Sequence, residues 1–89
     1  MDFEWEEAKH AANLEKHAID FLRATQLFDG RPVITRSSPR GDELRFITIG
    51  AVEEEIVAVV WTERDSITRL ISARKARNAE KRAYRSVFG

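Results

Sequence analysis

The sequence predicts an α+β fold, in which two N-terminal helices and one C-terminal helix pack on an antiparallel sheet. Apolar residues recur at helical spacing near both ends of the chain, whereas the middle alternates with a period of two. The predicted strands are joined by short turns, which favours an antiparallel meander of three or four strands. At 89 residues the chain has the length of a single domain, residues 1–89.

The first helix is predicted over residues 6–17, where no glycine or proline interrupts a modest apolar stripe. Asp20 has the position of an N-cap for a second helix, because its carboxylate can accept a hydrogen bond from a free backbone N–H. Phe21, Ala24 and Phe28 follow at helical spacing, and Asp29-Gly30 ends this helix.

The strands begin after the second helix. Val33 to Thr35 is a short predicted strand, and Glu43 to Ile49 is a longer one that ends at Gly50. Ile56 to Trp61 is nearly all β-branched or aromatic, so we expect a central strand that is buried on both faces. Ser66 to Ala73 is the last strand. Its alternation places Arg69, Ile71 and Ala73 on one face and Leu70, Ser72 and Arg74 on the other.

The last helix carries an apolar stripe of Ala79, Ala83 and Val87 and a basic stripe of Arg77, Lys81 and Arg85. The whole chain is neutral, with 15 basic and 15 acidic side chains, but residues 64–89 hold eight basic and two acidic ones. A neutral protein with this asymmetry can present one positive face to a polyanion. The alternative is a charged helix that is simply solvated.

Several classes of function are excluded by composition. The absence of cysteine rules out disulfides, thiolate metal sites and a cysteine nucleophile. His10 and His17 lie about two helical turns apart, ~10 Å along the axis, so they cannot share one metal ion. No glycine-rich nucleotide-binding motif is present, and we expect no cofactor. No apolar run is long enough to span a membrane and no signal peptide precedes the first helix, so we expect a cytoplasmic protein with no membrane partner.

Three arginines are candidates for an anion site. Arg45, Arg64 and Arg74 lie on or beside consecutive strands of the predicted meander. Neighbouring strands could bring the three guanidinium groups together, and their planar geometry suits a phosphate. The alternative is a set of surface ion pairs with nearby acids. Those acids are Glu43, Glu63 and Asp65.

Two motifs in this order, W-x₃-K-x₃-N-x₂-KH and R-x-ISAR-x-A, resemble the BrnT toxins of bacterial type II toxin–antitoxin systems. The similarity extends from Phe3 to Tyr84, almost the whole chain. The residues that carry it are Phe3, Trp5, Lys9, Asn13, Lys16, His17, Phe21, Phe28, Asp29, Glu43, Arg45, Gly50, Val57 to Val60, Thr62, Arg64, Arg69, Ile71 to Ala76, Glu80 and Tyr84.

The resemblance implies a RelE-like fold and a small ribonuclease that cleaves RNA and inhibits translation. It also implies a BrnA-like antitoxin with a ribbon-helix-helix domain, through which alone the complex would contact DNA. Within that mechanism Arg74 and Arg64, supported by Arg45, are the expected cations at the reacting phosphate. His17 is the expected base or acid, and Tyr84 is either the leaving-group acid or a surface for base stacking.

The backbone phosphates of the RNA would be bound by a further basic set: Lys75, Arg77, Lys81 and Arg85. Arg74 is expected to lie at the mouth of the site, where its removal should leave the fold intact. Two other readings remain open: a module that binds RNA or the ribosome without cleaving it, and a subunit whose only role is to hold a partner.

The chain departs from the family pattern at helix ends. Ala18 stands where the family usually has a glycine, so it must adopt a left-handed backbone with strain or the turn must differ. Arg77 stands where the family often has a serine or threonine cap, and Asn78 is the expected substitute. Glu6 replaces an aspartate cap.

Overall fold

A computed structural model describes all 89 residues and has the α+β class that the sequence predicts. The strands are β1 (Phe3–Glu4), β2 (Val33–Ser37), β3 (Phe46–Val52), β4 (Glu55–Arg64) and β5 (Ile67–Lys75). The helices are α1 (Glu7–His17), α2 (Phe21–Ala24) and α3 (Asn78–Phe88), and a 3₁₀ segment, Thr25–Phe28, follows α2 directly. All five strands form one sheet in the order β1-β5-β4-β3-β2.

The sheet differs from the predicted one in strand number and direction. It has five strands and is mixed, whereas the prediction was three or four antiparallel strands. β1 pairs in parallel with β5, so that Phe3 lies opposite Thr68 and Glu4 opposite Arg69. The sequence pattern misses β1 because two residues are too few to show an alternation.

The main hydrophobic core lies between one face of the sheet and the helical segment that follows α1. Phe21 and Leu27 pack there with Val57, Val59 and Leu70, and all five are almost completely buried. This segment is α-helical only through Ala24 and then tightens to 3₁₀, whereas a single helix to Phe28 was predicted. The N-cap prediction is confirmed, since the Asp20 carboxylate accepts the backbone N–H of Leu22 at 2.7 Å.

Gly50 lies inside β3 and does not end it, which corrects the predicted boundary. A Cβ atom at this position would lie 2.8 Å from Val33 Cγ1 and 2.9 Å from Leu27 Cδ2. The glycine is therefore needed for close packing and not for a turn. β3 continues to Val52, and it begins at Phe46 instead of Glu43.

A β-bulge in β5 changes which side chains share a face. Ser72 pairs with Val60 and Leu70 with Trp61, so Ile71 is the extra residue without a partner. As a result Leu70 and Ala73 both enter the main core. The predicted alternation, which placed these two residues on opposite faces, is wrong at this point.

The second face of the sheet is covered by α3. Ile49 and its β4 partner Ala58 are fully buried although they lie outside the main core cluster, and α3 contacts β3 at this face. No residue of α3 is itself buried, and Val87 is 63% exposed. The helix therefore rests on the sheet with little apolar burial of its own.

Two helix ends decide the geometry near the site. Ala18 has φ 57° and closes α1 in the left-handed conformation, so the strained alternative is the one observed. The N-cap of α3 is Arg77, and Asn78 is the first helical residue, so the prediction that Asn78 caps the helix is wrong. The Glu80 carboxylate accepts the Arg77 backbone N–H at 2.7 Å and closes this end from within the first turn.

Candidate functional site: a basic cleft

A cleft of about 490 Å³ opens where the end of α1 meets the end of β5 and the link to α3. We refer to it as the basic cleft. Its walls carry four permanent cations, one histidine and one free carboxylate, and the lining residues are Glu15, Lys16, His17, Ala18, Arg74, Lys75 and Arg77. Cations gathered around a concave surface raise the local concentration of anions such as phosphate groups.

Four of the nine site residues predicted from sequence meet in this cleft. His17 comes from the last turn of α1, Arg74 and Lys75 from the end of β5, and Arg77 from the cap of α3. His17 is partly exposed, and its ring makes no hydrogen bond or ion pair within the protein. Its nitrogens are therefore available to a ligand that enters the cleft.

A shallower groove of about 310 Å³ continues from the cleft along α1 and shares Lys16 and His17 with it. Lys9 lines the far end of this groove. Sequence analysis assigned no role to Lys9 or Lys16, although both stand in the first family motif. Their separation of seven residues, two helical turns, was the available signal, because it puts both on one face of α1.

Asn13 fixes the position of α1 beside the cleft. This buried side chain donates to the carbonyls of Ile19 at 3.0 Å and Ala73 at 2.8 Å, and it accepts the Ala73 N–H at 3.1 Å. It thus satisfies both backbone groups of the residue that precedes Arg74. The conformation of β5 and the C-terminal turn of α1 are locked together, which places His17 and Arg74 in the same cavity.

Arg74 makes the strongest polar contact of the site. Its Nη1 and Nη2 donate to Oε1 and Oε2 of Glu80 at 2.8 and 3.0 Å, a bidentate pair that joins β5 to α3. The side chains are only 16% and 12% exposed. The hydrogen bonds from Arg74, together with that from the Arg77 backbone, lower the pKa of Glu80 to about 2 despite its burial. The same pair raises the pKa of Arg74, so both groups stay ionised.

Arg45 and Arg64 do not join this site, and the expected convergence of three arginines is wrong. Arg74 lies opposite Ala58 of β4, whereas Arg64 is the last residue of that strand, ~20 Å away at the usual strand rise. Arg45 and Arg64 instead bind the two oxygens of Glu43, at 2.6 and 3.0 Å. These hydrogen bonds, first that from Arg45, lower the pKa of Glu43. The ion-pair alternative describes these two residues.

The remaining predicted residues lie on α3 outside the lining of the cleft. Tyr84 is one turn beyond Glu80, its ring packs against Phe88 with centroids 5.0 Å apart, and its hydroxyl is 3.5 Å from the Pro32 carbonyl. At that distance the hydrogen bond is weak. Lys81 is half-buried and Arg85 is exposed.

The remaining candidates for a functional feature are a metal site, the second histidine and a membrane-spanning helix. No group of three histidine, cysteine, aspartate or glutamate side chains is placed to hold a metal ion. His10, the second histidine, is engaged in structure: it contacts Asp20 at 3.0 Å and stacks on Phe21. None of the three helices is both long and apolar enough to cross a membrane.

Comparison with known proteins identifies the family of this chain. A family model described as "Ribonuclease toxin, BrnT, of type II toxin-antitoxin system" matches residues 5–80. No curated protein matches the chain. The matched range contains every residue that lines the basic cleft, together with Glu80. The chain belongs to the BrnT family of ribonuclease toxins from type II toxin–antitoxin systems.

Proposed function

We propose that this protein is a metal-independent endoribonuclease that cleaves RNA in the basic cleft and thereby inhibits translation. The observation that carries the proposal is the meeting of His17 and Arg74 in one cavity whose walls also hold Lys16, Lys75 and Arg77. An imidazole can transfer protons and a fixed guanidinium can stabilise charge, which are two of the roles that phosphodiester cleavage without a metal requires.

In this mechanism the RNA supplies its own nucleophile. The 2′-hydroxyl attacks the adjacent phosphorus, the O2′–P bond forms, and the P–O5′ bond breaks. One protein group takes the proton from O2′ and another gives a proton to O5′, and the products are a 2′,3′-cyclic phosphate and a 5′-hydroxyl. His17 is proposed for one of these proton transfers, because an imidazole can both accept and donate a proton.

Arg74 is proposed to stabilise the charge that accumulates on the phosphoryl oxygens. Lys16, Lys75 and Arg77 would attract the RNA backbone, and Lys9 would extend this track along α1. Tyr84 with Phe88 is proposed as a stacking surface for a base, with Lys81 and Arg85 as flanking phosphate contacts. Arg45 and Arg64, at the far end of β4, would meet only a distant part of a long RNA.

The experiment is cleavage of a 5′-labelled single-stranded RNA by the purified protein in EDTA. We expect cleavage to persist and the products to carry cyclic or 3′-phosphate ends, with loss of activity in His17→Ala. Loss of cleavage in EDTA and its restoration by magnesium would contradict the mechanism. Tight binding without any cleavage, with or without magnesium, would favour the non-catalytic RNA- or ribosome-binding module.

The family implies a cognate antitoxin, and we propose that it is a BrnA-like ribbon-helix-helix protein that covers the basic cleft. Lys16, Lys75 and Arg77, the exposed cations of the cleft, are open to a partner as much as to RNA. An acidic segment of the antitoxin would therefore compete directly with the substrate. DNA would be contacted through the antitoxin alone.

A further inference from the structure

The contact between Arg74 and Glu80 has a geometry that a plain surface ion pair does not have. Both terminal nitrogens of Arg74 are bound by the two carboxylate oxygens, and Glu80 has no rotational freedom left, because its Oε1 also accepts the Arg77 backbone N–H. Most ion pairs of this protein involve a more exposed carboxylate, whereas the Glu80 side chain is only 12% exposed. The guanidinium is held in one plane.

The remaining edge of Arg74 is free. A guanidinium has five N–H groups in a planar fork, and Glu80 takes only one from each terminal nitrogen. Nε makes no hydrogen bond within the protein, and the side chain lines the basic cleft. The edge formed by Nε and Nη2 matches the spacing of two phosphate oxygens. Arg74 can therefore bind Glu80 end-on and a phosphate side-on at the same time.

We propose that Glu80 is a positioning residue that acts through Arg74; this rests on the function proposed above and identifies a residue that it requires. Because the Arg74–Glu80 pair is neutral overall, Arg74 adds little to the electrostatic attraction of RNA. Its role is to orient the reacting phosphate. The attraction comes from Lys16, Lys75 and Arg77. Loss of Glu80 should thus affect the chemical step while leaving the affinity for RNA the same or higher, since one negative charge near the phosphate is removed.

The test compares Glu80→Gln with wild type in two separate measurements. Binding of an uncleavable, 2′-deoxy-substituted oligonucleotide is followed by fluorescence anisotropy, and the single-turnover cleavage rate is measured on the matching RNA. We expect affinity that is unchanged or severalfold tighter, and a rate that falls by about 10- to 100-fold, as for a misplaced catalytic contact. Both are measured well below the melting temperature of each variant.

Glu53→Gln is the matched control. Glu53 forms a single-contact, exposed ion pair with Arg23, at 3.1 Å, outside the cleft. It loses the same charge and should cleave at the wild-type rate. Arg74→Lys removes the planar fork. Adding Glu80→Gln to this variant should lower the cleavage rate no further, because the two residues act as one unit.

Each outcome separates the possibilities. Faster cleavage in Glu80→Gln would mean that Glu80 restrains Arg74, and it would overturn the proposal. A rate that falls only in proportion to the folded fraction would assign Glu80 a purely structural role and would overturn it as well. If wild type cleaves and Glu80→Gln cleaves equally fast, this inference alone fails. If wild type does not cleave, the proposed function itself fails.

Spectroscopy gives a readout that does not depend on catalysis. The Nε–H resonance of Arg74, assigned by its loss in Arg74→Lys, should shift when the uncleavable oligonucleotide is added to wild type. In Glu80→Gln we expect this resonance to broaden before any ligand is added, because the side chain is no longer fixed. An unshifted resonance in wild type would show that the free edge does not bind phosphate.

Discussion

At the scale of single residues, Arg74 illustrates what alternation can and cannot reveal. The pattern of β5 predicts that Arg74 points away from Ala73, and it does reach the other side of the sheet. The alternation could not show that Glu80, six residues later, accepts hydrogen bonds from both terminal nitrogens of Arg74. A catalytic cation expected to be removable without loss of stability is therefore one half of a largely buried pair.

Arg74→Ala should consequently destabilise the protein, contrary to the expectation from sequence. Removal of the guanidinium leaves the Glu80 carboxylate without its partner, at a cost of about 1–3 kcal/mol. In a domain of this size that corresponds to a melting temperature lower by about 4–8 °C per kcal/mol. Calorimetry on Arg74→Ala and on the exposed control Arg85→Ala checks this, and the control should melt like wild type. Equal melting temperatures for all three proteins would contradict it.

The lowered pKa of Glu80 predicts a pH dependence of stability. Its folded-state value of about 2 lies below the ordinary 4.5, so the folded state favours the ionised form. The stabilisation is fully present above pH 4.5 and is lost as the pH falls toward 2. Urea unfolding at pH 6 and pH 3 should show a larger loss for wild type than for Glu80→Gln. Asp29 and Glu43, whose pKa values are also lowered, remain in both proteins and cancel in the comparison.

At the scale of elements, what could be predicted depended on the length of the pattern. α1, β4 and the cap at Asp20 follow from long periodic runs or from a single strong chemical preference. β1 and the bulge at Ile71 could not be predicted, because both are set by pairing with distant strands. Gly50 resembles a strand terminator in sequence and is a close packing contact in space. Four of the seven residues that line the cleft were predicted from sequence, whereas Lys9 and Lys16 were in the motif without an assigned role.

Ala18→Gly should stabilise the protein. Ala18 ends α1 at φ 57°, a conformation that costs an L-residue ~1–2 kcal/mol and costs glycine almost nothing. Because glycine also makes the unfolded chain more flexible, the net gain should be about 0.5–1 kcal/mol. Ala11→Gly, in the exposed interior of α1, is the control and should lose about 1 kcal/mol. A lower melting temperature for Ala18→Gly would show that the turn is not strained.

At the scale of the whole molecule, charge is redistributed by folding. The first 30 residues carry seven acidic and three basic side chains, and residues 64–89 carry eight basic and two acidic ones. The fold brings Lys9 and Lys16 from the acidic third beside the basic third, while acids such as Glu43 and Glu80 are neutralised by arginines. The count along the chain predicts a basic face, and folding adds Lys9 and Lys16 to it, so that a neutral protein acquires a positive groove.

This groove leads to the prediction for the assembled system. Coexpression with the cognate antitoxin should yield a stable complex that no longer cleaves RNA, because the partner occupies the basic cleft. The association rate should fall steeply as salt is raised, as for any pairing of complementary charges. A control complex with Arg82→Ala toxin should behave like wild type, since Arg82 is exposed on α3 outside the cleft. A complex that cleaves as fast as the free toxin would place the antitoxin on another surface.

The hydrogen bonds of the Asn13 side chain affect which edges of the sheet are open to pairing. By taking both backbone groups of Ala73 it plays the part of a neighbouring strand, and α1 lies along that border of β5. The opposite border, β2, is bounded by Pro32 and is largely open to solvent from Thr35 to Ser37. At Ala73 the β5 border is therefore closed to a further strand. A chain that extends the sheet by backbone pairing, whether from another copy or from a partner, would find the longer open edge at β2, on the side remote from the cleft.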